Sequence, residues 1–300
     1  MLRTLVYALL PLLILLIAIA MACVISYFVV LGFGEFVEFR KVISKSTQVL
    51  LILSIFPITY YLKISKAELG FVSLPAFLKQ IALGLGLGFF TLMPVFIVLY
   101  LLGVNVIDDT QIWTTGFVVK NLIISLLLAL LISLIEEPLF RGLLLISLQK
   151  KLPVRSAIII SSSYYAALHF LNSNTNIAVQ DLKIYSGFTL LTEAFTNLLN
   201  PAIFSAFLAL LMVGIFLGIL RTQVKASLGL CIGCHTCWVW QIKMNKKLFN
   251  TDFNSEYHYL VSSYDGVIGP LVTVWLLMAI ISYFIVRHIK KSMMLMIINR

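Results

Sequence analysis

The chain has 300 residues, of which 61% are hydrophobic and 11% charged, and its mean hydropathy is +1.05. Soluble globular chains carry roughly 45–50% apolar and about 25% charged residues, so this composition excludes a soluble enzyme or binding module and predicts an integral membrane protein. The net charge of +10 fits membrane orientation and contact with anionic lipid. Without a basic, aromatic-interleaved soluble patch, it does not point to a nucleic-acid partner.

A spanning helix needs ~20 mostly apolar residues. Such runs fall at 5–32, 47–62, 80–103, 117–149, 156–171, 201–220, 227–242 and 267–286. The expected fold is all-α and polytopic: one transmembrane domain over residues 1–300 with about eight helices. The first run is longer than the apolar core of a signal peptide. "AMAC" at 20–23 matches a lipoprotein box poorly, because Ala20 stands where a larger aliphatic is expected.

Basic residues mark the loops. Lys63, Lys66 and Lys79 flank the second connection, and Lys150, Lys151 and Arg155 fill the fourth. Arg221 and Lys225 sit in the sixth, and Arg287, Lys290, Lys291 and Arg300 follow the last span. The third connection, "VNVIDDTQIW", has none. The positive-inside rule then puts both termini in the cytoplasm. Two clusters fall on the other side: Arg40, Lys41 and Lys45, and Lys243, Lys246 and Lys247.

The longest polar insert is 172–200, "NSNTNIAVQDLKIYSGFTLLTEAFTNLLN". In its second half Phe188, Leu191, Phe195 and Leu198 recur at helical spacing, an amphipathic pattern suited to the membrane surface. It reads either as a connector or as a lid over a site.

The buried charges lie in "LISLIEEPLFRGLLL", 131–145. A charge at the bilayer centre costs at least ~2.5 kcal/mol and marks a functional candidate by default. Glu137 and Arg141 are at i and i+4, so they share a helix face and can pair. Glu136 lies about 100° around the helix and has no partner there. Pro138 predicts a kink or restart. The next span ends in His169, and Ser162, Tyr165 and His169 make one polar stripe. Glu136 and His169 are equally far from the "KKLPVR" loop, about 25 Å along their helices, and so are level in the membrane. A histidine merely donating to a carbonyl is the plainer account of His169.

"CIGCHTC", 231–237, holds three of the four cysteines. C-x-x-C-H is a c-type haem signature and a Cys/His cluster suggests zinc. The segment is a membrane helix, however, and three ligands on one turn rarely surround a metal tetrahedrally. Small apolar packing is the expected role of Cys231, Cys234 and Cys237, with His235 as the polar element. Gly229 and Gly233 allow a neighbouring helix close. His235 is only about ten residues from Lys225, ~15 Å along a helix, so it reaches the depth of Glu136 only if that helix begins well inside the membrane.

With these residues in view, the chain resembles the CPBP family of membrane proteins, the CAAX prenyl proteases and bacteriocin-processing enzymes also called the Abi family. Glu136, Glu137 and Arg141 meet the motif E-E-x-x-x-R, and His169 meets F-x-x-x-H with Tyr165 in place of the Phe. His235 meets the third motif, but Val239 stands where Asn or a similar polar residue is usual. The resemblance covers a core of about 118–242. It implies a glutamate-type intramembrane endopeptidase in which Glu136 is the base, His169 holds the water and His235 meets the oxyanion. Glu137, Arg141 and Tyr165 would support them. It implies no cofactor or metal, a bacterial plasma membrane, and a peptide or prenylated protein C-terminus as substrate. A non-catalytic immunity or scaffold protein, a zinc-dependent metallopeptidase using His169, His235 and Glu136, and a proton-coupled transporter are the alternatives.

Overall fold

The structure, a computed structural model, describes residues 2–264 and 266–298. Arg300, counted above among the cytoplasmic charges, lies outside them. Helices α1 (Leu2–Phe33) and α2 (Phe39–Tyr61) form a hairpin, followed by α3 (Leu74–Leu101). Helix α4 (Thr115–Glu137) runs through a π-helical segment, Pro138–Leu144, into α5 (Leu145–Gln149). Then come α6 (Val154–Phe170), α7 (Ser186–Asn197), α8 (Phe204–Gln223), α9 (Leu228–Leu248) and α10 (Pro270–Ile298). Short strands β1 (Asn105–Ile107) and β2 (Phe249–Thr251) pair antiparallel, with Asn105 opposite Thr251.

The all-helical expectation holds, but the count differs. Among the described residues six helices are long and apolar enough to cross a membrane: Leu5–Phe33, Phe39–Tyr61, Leu74–Leu101, Thr115–Gln149, Pro201–Gln223 and Pro270–Met293. The two of the expected eight that fall outside this set are α6 and α9. Helix α6 has only 17 residues, and α9 carries Lys243, Lys246 and Lys247 in its C-terminal part. In α9, Cys231 through Trp238 are all buried, whereas α6 exposes Val154 and Ile159. A helix enclosed by protein does not need an apolar surface all round, which is why composition is a poor guide to α9.

Helix α9 is the axis of the molecule and packs most extensively on α3 and then on α4. Its crossing with α3 is backbone on backbone. A Cβ added to Gly233 would lie 2.1 Å from the Ile81 carbonyl oxygen, and one on Gly84 would lie 2.3 Å from that of Leu230. Small residues on both helices make such approach possible. The sequence reading anticipated the glycines of α9, and Gly84 and Gly88 of α3 are their counterparts. The core around this crossing contains Leu92, Val95, Phe140, Tyr165, Leu217, Cys234, Trp238 and Leu276.

Two local features add to the sequence expectations. At Pro138, which lacks an N–H and crowds the carbonyl a turn back, the helix does not restart. It widens, and the Leu145 N–H donates to Phe140 O, five residues earlier. In α7 the buried face is Ser186, Gly187, Leu190 and Ala194, while Phe188 is exposed. Close approach chooses this face: a Cβ on Gly187 would lie 2.6 Å from that of Cys23 in α1.

The α3–α9 crossing yields a stability prediction. Gly233→Ala forces two backbones apart and should cost about 1–3 kcal/mol, the usual range for overpacking. Gly86→Ala, whose Cβ would meet nothing within 4 Å, should be neutral or stabilising, since alanine favours helix. Thermal unfolding of the two variants in detergent is the check. Equal midpoints would show that the crossing is not tight.

Candidate active site

The widened turn after Pro138 carries the buried charges inward. Glu137 is fully buried and Arg141 nearly so, and Arg141 Nη1 lies 3.2 Å from Glu137 Oε1. This is the i,i+4 pair read from the sequence. The structure adds a partner from α9: His235 Nδ1 is 2.8 Å from the same Glu137 oxygen. An ionised carboxylate only accepts, so His235 donates through Nδ1–H. The Arg141 guanidinium in turn lies over the Tyr165 ring, 4.3 Å from its centroid, a favourable cation–π contact.

Glu136 faces elsewhere, as the helical spacing predicts. Its side chain is 27% exposed, against 0% for Glu137. Among the described residues its Oε2 has no hydrogen-bond partner. Glu136 and His169 line a single cavity of about 760 Å³ between α2, α4, α6 and α7. The His169 ring is fixed from behind, with Nδ1 2.8 Å from the Tyr165 carbonyl oxygen. Since a carbonyl only accepts, Nδ1 carries the proton and Nε2 keeps a lone pair. The plain account of a histidine donating to a carbonyl is therefore met, and the same bond orients the ring.

His235 stands behind this cavity rather than on its wall. It is 3% exposed, and its Nε2 lies 3.9 Å from Glu136 Oε2 and 3.5 Å from the Tyr165 hydroxyl. Its depth is explained by where α9 starts. Ser227 and Leu228 are completely buried, and the Leu228 N–H donates to Gly70 O at 3.3 Å. Arg221 Nη2 donates to Glu68 O at 2.5 Å, holding the same connection. The helix thus begins within the protein.

The opening of "CIGCHTC" toward metal or haem chemistry is not what its side chains arrange. Cys231 Sγ donates to Leu217 O at 3.7 Å, and Cys237 Sγ accepts from Gln241 Nε2 at 3.4 Å. Cys234 lies beneath Gly84 and Gly88 of α3. Among the described residues no group of three or more His, Cys, Asp or Glu side chains is placed to hold a metal ion.

One further feature of the cavity escaped the sequence reading: Arg40, Lys41 and Lys45, the cluster at odds with the loop-charge rule, lie on its wall. Helix α7, read as a connector or a lid, also lines it through Gly187, Leu190, Leu191 and Ala194. Glu193 of α7 accepts from Ser173 Oγ at 2.5 Å and from the Asn174 N–H at 3.0 Å, tying α7 to the segment after His169. These bonds, that from Ser173 foremost, hold the Glu193 carboxyl below the usual carboxylate range.

The two glutamates are thereby separable by stability. Arg141→Met strands the buried Glu137 carboxylate and should cost about 3–5 kcal/mol, as removal of one partner of a buried pair does. Glu136→Gln breaks no ion pair of this set and should stay within about 0.5 kcal/mol of wild type. Unfolding in detergent compares them, and equal losses would contradict the assignment of Glu137 as the structural carboxylate.

Comparison with known proteins agrees with the resemblance noted in the motifs. No curated protein and no solved structure matches the chain. Residues 118–241, the stretch from the start of α4 to Gln241 of α9, match the family model described as type II CAAX prenyl endopeptidase Rce1-like.

Proposed function

We propose that this protein is an intramembrane endopeptidase in which Glu136 is the general base. The carrying observation is the contrast between two adjacent carboxylates. Glu137 is fully buried with Arg141 and His235 both on its Oε1, while Glu136 is 27% exposed, without a hydrogen bond at Oε2 among the described residues, and lines a cavity it shares with His169. A water at that wall donates one hydrogen to Glu136 and the other to the lone pair of His169 Nε2. A carboxylate withdrawn from bulk water then takes the proton as the water oxygen bonds to the peptide carbonyl carbon. The C–N bond breaks and Glu136 returns the proton to the leaving amine. His235 Nε2 and the Tyr165 hydroxyl border the place where charge develops. A protein that only sequesters a peptide has no use for a carboxylate left without a partner.

The match to a CAAX prenyl endopeptidase family model supports a peptide or prenylated protein C-terminus as substrate. On the basic wall Arg40 and Lys41 both pair with Glu38, and the net positive charge left by the trio and Glu38 favours an anionic group on it. Both termini lie in the cytoplasm in this reading, from the loop charges. The test is incubation of purified protein with a farnesylated CaaX peptide and its unprenylated counterpart, with product read by mass spectrometry. Wild type should cleave the prenylated peptide in preference, and Glu136→Gln should lower the rate about 10²–10⁴-fold, the usual worth of a general base. Undiminished cleavage by Glu136→Gln would sink the proposal.

A further inference from the structure

The geometry points to the Tyr165 hydroxyl as the hydrogen-bond donor that stabilises the oxyanion, a catalytic role resting on the endopeptidase reading. Attack on a peptide carbonyl needs a preorganised donor where the negative charge appears. His235 is the obvious candidate, but its Nδ1–H is given to Glu137, which lies 2.8 Å away. A neutral imidazole has one N–H, so in that form Nε2, the nitrogen facing Glu136, is bare and can only accept. Val239, one turn further along the same face of α9, offers no donor. His169 is committed through Nδ1 to the Tyr165 carbonyl.

The Tyr165 hydroxyl is an O–H beside His235 Nε2, and its ring lies directly behind Phe140 and His169 of the cavity wall. The hydroxyl lies 3.5 Å from His235 Nε2, which is itself 3.9 Å from Glu136 Oε2. Tyr165 is 2% exposed, so its hydroxyl works in a medium where a hydrogen bond is worth more than in water. Its ring is held on several sides. Arg141 lies over one face at 4.3 Å, Phe140 meets it edge-on at 5.1 Å, and the His169 ring centroid is 4.6 Å away. With the ring so clamped, only the hydroxyl hydrogen has to turn when charge develops. In the step itself the water proton passes to Glu136, the water oxygen bonds to carbon, and the carbonyl π electrons move onto oxygen. Tyr165 turns its O–H from His235 Nε2 to that oxygen and keeps its proton throughout. When the C–N bond breaks, Glu136 protonates the amine and Tyr165 returns to His235.

The experiment measures kcat and KM on the cleaved peptide for wild type, Tyr165→Phe, Val239→Asn and the double variant. Tyr165→Phe keeps the ring and its packing, so the unfolding midpoint should hold while kcat falls about 10²–10³-fold, the usual cost of one oxyanion donor, with KM nearly unchanged. Val239→Asn places an amide donor one turn from His235, and in the double variant it should restore part of the lost kcat. A purely structural role for Tyr165 would show no such rescue. If Tyr165→Phe does not fold, 3-fluorotyrosine at position 165 replaces it, and an unchanged kcat overturns the proposal. Wild-type kcat in Tyr165→Phe, with Glu136→Gln inactive, overturns the role of Tyr165 and leaves the peptidase standing. A wild type without peptidase activity overturns the underlying reading and this proposal with it.

Discussion

A carboxylate with no exposure to solvent, Glu137, holds the centre of this molecule together. Its Oε1 meets Arg141 from its own helix and His235 from α9, so one atom ties two helices that are 98 residues apart in sequence at this point. Burying a carboxylate and a guanidinium is costly unless geometry is good, and the other elements of the site follow from meeting that demand. The widening after Pro138 keeps Arg141 over its partner. Arg141 in turn sits on the Tyr165 ring, which places the hydroxyl against His235. Because Arg141 and His235 both turn to Glu137, the neighbouring Glu136 is left on the cavity wall, and among the described residues its Oε2 has no hydrogen-bond partner.

That arrangement requires α9 to lie deep and close, and glycines make this possible. The α3–α9 crossing brings Gly233 against Ile81 and Gly84 against Leu230 at backbone contact, so no side chain sets the helix separation. A spacing set by backbone has little slack, as tight cores in general transmit strain rather than absorb it. The cysteines of "CIGCHTC" belong to this layer. Each fills a narrow gap between α9 and its neighbours, and the histidine among them is the residue that turns toward the glutamates.

Much of the site was legible from spacing alone. The i,i+4 relation found the Glu137–Arg141 pair, the 100° offset separated Glu136 from it, and equal distance from one loop put Glu136 and His169 on one cavity. These are consequences of helical period and hairpin symmetry, which a sequence displays directly. The Glu137–His235 bond was not legible, because period says which face a residue is on and not which distant helix meets it. For the same reason Gly84 and Gly88 went unremarked until α9 was seen lying across them. Of the eight apolar runs, α6 is too short and α9 too polar at its basic C-terminal end to qualify as spans by length and composition. In α7 the hydrophobic period named Phe188, whereas the contact is made by Gly187 on Cys23; a steric fit leaves little trace in hydrophobicity. The basic trio Arg40, Lys41 and Lys45 looked like a contradiction of loop charge until the cavity gave it a place.

The central claim is that ionised Glu137 fixes the proton of His235 on Nδ1 and leaves Nε2 bare toward Glu136 and Tyr165. The chain has four histidines, so nitrogen NMR of histidine-labelled protein can resolve the ring of His235, assigned by its loss in His235→Gln. The account predicts a ring protonated at Nδ1, with Nε2 showing the shift of a nitrogen that carries no proton. A ring protonated at Nε2 and bare at Nδ1 in the wild-type protein would contradict it.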